Sequence, residues 1–241
     1  MTSNSLPAAG DVLSAIKDLS HQDTAIELSK TFRGLVLQQD VKILEVNPHE
    51  AAFEITSPEM SPALEGEIYL NSQLLPKPVM ARFKSLDLRN CRLVLSHFAY
   101  VDSELKNRQH ERVRPKQPTY VTLHWKRREH RACVENLSIN GMGILAFKMF
   151  ERGMRIQPGS KVQLEFQLSR NQVNMALKGM IIYINNIDQY LTTIGIQLFP
   201  TGVEARLLKE YITPRKQEIF EELNKAYWEL IRPRGVETLY F

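Results

Sequence analysis

At 241 residues, 43% hydrophobic and 24% charged, the chain is long enough for two domains and apolar enough to bury a core, which excludes disordered, collagen-like and coiled-coil classes. No apolar run reaches the roughly 18 to 20 residues of a membrane-spanning helix, and two isolated cysteines, Cys91 and Cys133, exclude a disulfide scaffold or a zinc ribbon. The net charge of +4 is too mild for a nucleic-acid coat but is uneven: twelve acidic residues outweigh nine basic ones over 1–100, whereas fifteen basic residues outweigh eight acidic ones over 101–200.

In chain order, the N-terminus has neither the basic start nor the apolar core of a signal peptide, so a cytoplasmic protein without membrane insertion is expected. N-terminal helices are predicted over 1–33. One is carried by Val12, Leu13, Ile16 and Leu19 on a single face, and a second is capped by Asp23 and runs through Ile26 and Leu28 to Phe32. From Gly34 the period changes. Short strands at 35–37, 41–46, 51–55, 67–70, 79–83 and 92–95, separated by Asn-Pro, Ser-Pro and Leu-Pro punctuation, predict a small barrel over 34–101.

The polar stretch 102–117 reads as an interdomain linker. Strand patterns resume at Tyr120–Trp125, turn over a hairpin tip at Lys126–His130 into 131–135, and continue at 143–147, 162–168, 173–183 and 191–199. A second barrel is predicted over 118–200. C-terminal helices follow over 201–232. One stripe holds Val203, Leu207, Leu208 and Tyr211, and Thr213-Pro214 starts a second through Ile219 and Leu223; such stripes cover their own barrel or leave room for a homodimer. Residues 233–241 form a tail whose end resembles the start of a protease cleavage tag, and they are set aside.

Nine basic residues lie between Lys106 and Arg131, so an anionic partner is expected there. Within that stretch Arg108-Gln109-His110-Glu111-Arg112 is an Arg-x-x-x-Arg, and Asn136-Leu137-Ser138-Ile139-Asn140-Gly141 is an Asn-x-Ser-x-x-Gly that ends a strand. The ordered pair, one hairpin apart, resembles the PilZ domain, a bacterial receptor for cyclic di-GMP; Ile194-Gly195-Ile196-Gln197-Leu198 is similar to the strand that closes its barrel. The resemblance spans about residues 106–215 and implies a mainly β fold of two tandem barrels with helices at both ends. The C-terminal barrel is the six-stranded PilZ barrel, and the N-terminal one is a split barrel or a degenerate PilZ-like barrel.

The resemblance implies cyclic di-GMP as ligand, no cofactor and no metal, with Arg108, Arg112, Asn136, Ser138 and Gly141 binding it and Arg114, Lys116 and His110 in secondary positions. The chemistry agrees. A guanidinium is a rigid fork of donors for a phosphate or for the O6 and N7 edge of guanine, and Asn136 and Ser138 carry acceptors for guanine's N–H edge. Asn136 stands where the family often has Asp, which removes a charged acceptor. By itself Asn136–Gly141 reads as a β-turn, and Arg127-Arg128-Glu129-His130-Arg131, a second Arg-x-x-x-Arg, reads as a surface cluster at the hairpin tip.

The two-domain architecture resembles the flagellar-brake type of PilZ protein. It implies a cyclic di-GMP-gated adaptor whose linker closes on the nucleotide and signals to a protein partner such as the flagellar motor or exopolysaccharide machinery. No metal-binding histidine spacing and no glycine-rich phosphate loop is present, so an enzyme is not expected. The alternatives are a nucleotide-independent PilZ-like structural adaptor and a basic-surface nucleic-acid binder. The second is disfavoured because the basic cluster lacks interleaved aromatics.

Overall fold

The computed structural model describes residues 9–22, 24, 26–102, 110–147, 156–168 and 173–232. These residues form two closed six-stranded antiparallel barrels with a helix before the first and a helix after the second. By contact, Arg33–Leu35 and Arg108–Ile219 make one compact unit; Met1–Phe32, Val36–Asn107 and Phe220–Phe241 make the other. None of the described helices is long and apolar enough to cross a membrane.

In the first unit α1 (Ala9–Ser20) buries Val12, Leu13, Ile16 and Leu19 in the core that fills the barrel, together with Phe53, Leu64 and Leu95. Its strands are β1 (Ile26–Phe32), β2 (Leu35–Val46), β3 (Glu50–Ile55), β4 (Glu67–Asn71), β5 (Val79–Asp87) and β6 (Arg92–Tyr100). They close in the order β1-β2-β3-β6-β5-β4. The second predicted helix does not form. Ile26 and Leu28, both fully buried, alternate with half-buried Glu27, and two-residue alternation against a barrel outweighs a weak helical stripe. The predicted strands 35–37 and 41–46 are one strand, β2, in which buried Leu35, Leu37 and Val41 alternate with more exposed neighbours. The barrel thus has six strands, with β1 gained and two predicted strands merged.

In the second unit the strands are β7 (Tyr120–Trp125), β8 (Arg128–Leu137), β9 (Gly141–Phe147), β10 (Lys161–Leu168), β11 (Val173–Asn186) and β12 (Leu191–Leu198), closing as β10-β11-β12-β9-β8-β7. Strand β10 shows the cause: Val162, Leu164, Phe166 and Leu168 point inward and every residue between them is exposed. The β7–β8 hairpin is tighter than predicted. Trp125 pairs with Arg128, so Lys126, with φ +57°, and Arg127 alone make the turn. Arg128 to Arg131 belong to the strand, and Arg131 lies 4.3 Å over the Tyr120 ring on the outer face.

Helix α2 (Gly202–Ile231) is a single 30-residue helix. The predicted break at Thr213-Pro214 is absent, and Pro214 sits inside the helix. Thr201 and Glu204 cap its start reciprocally: the Thr201 N–H donates to Glu204 Oε2 at 2.6 Å, and the Glu204 N–H to Thr201 Oγ1 at 3.5 Å. A buried stripe of Leu208, Tyr211, Ile212, Arg215, Ile219 and Leu223 runs through the proline, and burial on both sides holds the chain helical. The tail 233–241 lies outside the described residues.

Candidate functional site

Strand β8 ends in the turn that carries the Asn-x-Ser-x-x-Gly residues. The Ser138 N–H and its Oγ both donate to the Gly141 carbonyl, at 2.8 and 3.1 Å, and Ser138 is 3% exposed. A Cβ on Gly141 would stand 3.2 Å from Ser138 Oγ, so this close approach favours glycine. Asn136 lies one step back on the outer face, where the β8–β9 ladder shifts register between Val134 and Asn136. Its side chain lies over Gly143, whose added Cβ would be 2.7 Å from Asn136 Nδ2. Asn136 Oδ1 is buried and accepts no hydrogen bond, an unsatisfied acceptor of the kind a ligand donor completes.

The arginine segment lies beside this turn. Val113 and Leu137, both buried, form an antiparallel bridge in which each N–H donates to the other's carbonyl at 2.9 Å. In that register Arg112 lies across from Ser138 and Arg114 across from Asn136. His110 Nε2 is 2.8 Å from Asn140 Nδ2, which ties the segment to the tip of the same turn. Arg108 lies outside the described residues. Of the predicted set, Arg112, Arg114, His110, Asn136, Ser138 and Gly141 are brought together. Lys116 is engaged elsewhere, 3.7 Å from Glu218.

Further arginines support this segment. The Arg114 N–H donates to the Arg33 carbonyl at 2.7 Å, and the Arg114 carbonyl accepts Arg215 Nε at 3.0 Å. Arg215 is 3% exposed and also reaches Glu218 at 3.1 Å. Gly34, at φ +91°, runs under the segment: an added Cβ would be 3.1 Å from the Arg112 oxygen, the Val113 carbon and the Arg114 nitrogen. The Arg33 guanidinium is held below its usual pKa, first by burial and then by Arg215 and Arg114. Lys216 and Glu111 form an ion pair beside the segment. Cationic groups therefore converge where an anion would be welcome.

The PilZ domain family matches residues 106–213. These residues form a PilZ domain. An uncharacterised protein of Aquifex aeolicus is 24% identical over 159 residues, 66% of this chain and 72% of that one. Among solved structures, YcgR of Escherichia coli in complex with c-di-GMP is 16% identical with a TM-score of 0.45, covering 89% of this chain and 93% of that one. The K. pneumonia MrkH–c-di-GMP complex is 12% identical with a TM-score of 0.46, covering 89% and 97%. The Bacillus subtilis inhibitor of motility is 12% identical with a TM-score of 0.42, covering 81% and 96%.

Around the candidate site, sequence reasoning missed Gly143, Arg33 and Arg215. Gly143 follows Gly141 by two residues in a strand that is otherwise apolar, and that spacing was a readable signal; Arg33 and Arg215 are far away in sequence and carried none. A separate groove of about 610 Å³ runs over the outer face of β7, β8, β10 and β11 past Tyr120, Arg131, Glu165 and Asn174, and no predicted site residue lines it. Among the described residues no cluster of His, Cys, Asp and Glu could hold a metal ion.

Proposed function

We propose that the chain is a cyclic di-GMP receptor whose PilZ domain grips the nucleotide with Arg108, Arg112, Asn136, Ser138 and Gly141. The observation that carries this reading is the Val113–Leu137 bridge, which sets Arg112 across from Ser138 and Arg114 across from Asn136, whose Oδ1 is unsatisfied. Arg112 supplies a charge-assisted fork for a phosphate or guanine edge, and Asn136 supplies an acceptor for guanine N1–H or N2–H₂. Gly143 leaves the space in which the Asn136 side chain lies across the strand, and Gly141 lets Ser138 Oγ close the turn beside it. Arg114 and His110 act as secondary contacts, and Lys116 does so only after leaving Glu218.

The linker step is part of the same proposal. Arg108 and Arg112 lie in sequence between the two barrels, so a ligand held by them and by β8 restricts the joining segment and changes the freedom of one barrel against the other. That change is the signal passed to a protein partner, with the flagellar motor or an exopolysaccharide machine as the class of recipient. The chain acts in this reading as a ligand-gated adaptor and performs no catalysis.

Isothermal calorimetry tests the reading. The purified chain should bind cyclic di-GMP, and Arg112→Ala should weaken binding by about tenfold or more, the loss expected from charge-assisted hydrogen bonds worth roughly 1.5 to 3 kcal/mol. Arg108→Lys should also weaken it, because an ammonium lacks the fork. Absence of heat, with no competition by unlabelled nucleotide, overturns the assignment.

A further inference from the structure

The groove on the outer face of β7, β8, β10 and β11 has a shape that strand pairing explains. Arg131 on β8, Thr122 on β7, Glu165 on β10 and Ala176 on β11 pair in register as one transverse row. Thr122 and Ala176 are short, so the row stays low between larger neighbours. Tyr120 lies two residues before Thr122 on β7, and Gln167 pairs with Asn174 two residues along from Glu165 and Ala176. These side chains bound a space of about 610 Å³. Arg131 and Glu165 flank Thr122 two strand spacings apart, roughly 10 Å, with the floor between them.

The cation on this groove is held in place without a partner for its charge. Arg131 lies 4.3 Å over the Tyr120 ring, and among the described residues its guanidinium has no hydrogen-bond or carboxylate partner. A cation over a ring face uses none of its N–H donors, so the fork stays open to an anion. Lys126 at the hairpin turn lies 4.3 Å over Trp125 in the same way. Tyr120 is 53% exposed, a large aromatic surface left on an outer strand face. Tyrosine and arginine are the side chains that anchor protein interfaces. Glu165 decides against a polyanion: its Oε2 is 3.4 Å from His124 Nε2, and it sets a carboxylate on the side of the groove opposite Arg131. A phosphate chain brings a charge at every step and meets repulsion there. A protein segment places one carboxylate at Arg131 and turns backbone N–H groups to Glu165 and to the side-chain carbonyl oxygens of Gln167 and Asn174.

We infer that this groove is the docking site for an acidic, extended segment of a partner protein, with Arg131 gripping an Asp or Glu side chain and Tyr120 packing beside it. Charge complementarity selects that occupant. From Arg131 to Ala176 the row crosses three strand spacings, roughly 14 Å, which about four extended residues span. The groove and the nucleotide site share no residue, so docking here stands apart from the cyclic di-GMP reading.

A random-peptide library displayed on phage, selected against the full chain, with fluorescence polarisation of the enriched peptides, tests this. Enriched sequences should carry Asp or Glu. Arg131→Gln should weaken their binding about tenfold, the loss of a charge-assisted contact to carboxylate, and Arg131→Lys should weaken it as well because an ammonium lacks the fork. Because a variant could disturb the barrel, the amide NMR signals of Thr122, Arg131 and Ala176 are also followed in the wild type and should shift on peptide addition. No enrichment, enrichment of peptides without acidic residues, equal affinity in Arg131→Gln, or shifts confined to other strands overturns the assignment. So does a single-stranded DNA oligonucleotide that displaces the peptide at equal concentration. A wild-type dimer that becomes monomeric in Arg131→Gln by light scattering also overturns it, since a second copy is then the occupant.

Discussion

At Gly143 and Gly34 a missing Cβ serves two different ends, and the neighbour decides which. The atoms near Gly143 belong to the end of the Asn136 side chain, which can rotate away; those near Gly34 are backbone, which cannot. Gly143→Ala should therefore leave the melting temperature nearly unchanged while weakening cyclic di-GMP binding about tenfold. Combined with Asn136→Ala it should do no further harm, because both changes remove one contact; an additive double variant contradicts this. Gly34→Ala should instead destabilise the fold by roughly 1 to 3 kcal/mol, since it adds positive-φ strain to a 3.1 Å approach to three backbone atoms. Urea titration measures this, and an unchanged midpoint would count against it.

Among the elements, the β7–β8 hairpin and α2 differ most from their sequence pattern. Only Lys126 and Arg127 form the hairpin turn, so Arg127 and the first strand residue Arg128 stand at its far end, whereas Arg131 is engaged with Tyr120. Replacing Arg127 and Arg128 together by alanine should keep cyclic di-GMP affinity within about threefold at physiological salt, because screening over roughly 8 Å mutes distant exposed charge. Loss of binding in that variant would move the site to the hairpin. In α2 the interior Pro214 has no N–H to donate and crowds the preceding turn. Pro214→Ala should raise stability, by up to roughly 3 kcal/mol, read as a higher urea midpoint; a lower midpoint would mean that the proline relieves a strain elsewhere in the stripe.

At the scale of the whole molecule, ligand should act on the segment that joins the barrels in sequence. Val113 is already anchored to Leu137, its neighbour Arg114 is tied to Arg33 and Arg215, and His110 meets Asn140, so residues 110–114 have a fixed seat on the PilZ domain. A ligand bound through Arg108 and Arg112 should extend protection along the segment. Hydrogen exchange over 104–116 should slow on saturation with cyclic di-GMP, and the distance between the barrels should change in solution scattering. Inserting a few Gly-Ser residues after Leu105 should preserve affinity and weaken that change, because a longer tether closes at little extra entropic cost but transmits less. Unchanged exchange over 104–116 at saturation would leave a passive binding module.

The sequence by itself determined the class of each barrel, since two-residue alternation with Gly and Pro punctuation is a local signal. It also marked Arg112, Asn136, Ser138 and Gly141, because a short motif carries its own spacing. Tertiary structure decided what local signals cannot encode. Ile26 and Leu28 fit a helix or a strand equally by pattern, and the barrel interior selected the strand. Pro214 reads as a stop, and burial on both sides carried the helix through it. The neighbours of the candidate site, Arg33, Arg215 and Gly143, meet the motif residues through ladder register and backbone hydrogen bonds, or over more than a hundred positions of chain, as Arg114 meets Arg215. Register and burial are properties of the closed barrel, and they exist only once distant strands have paired.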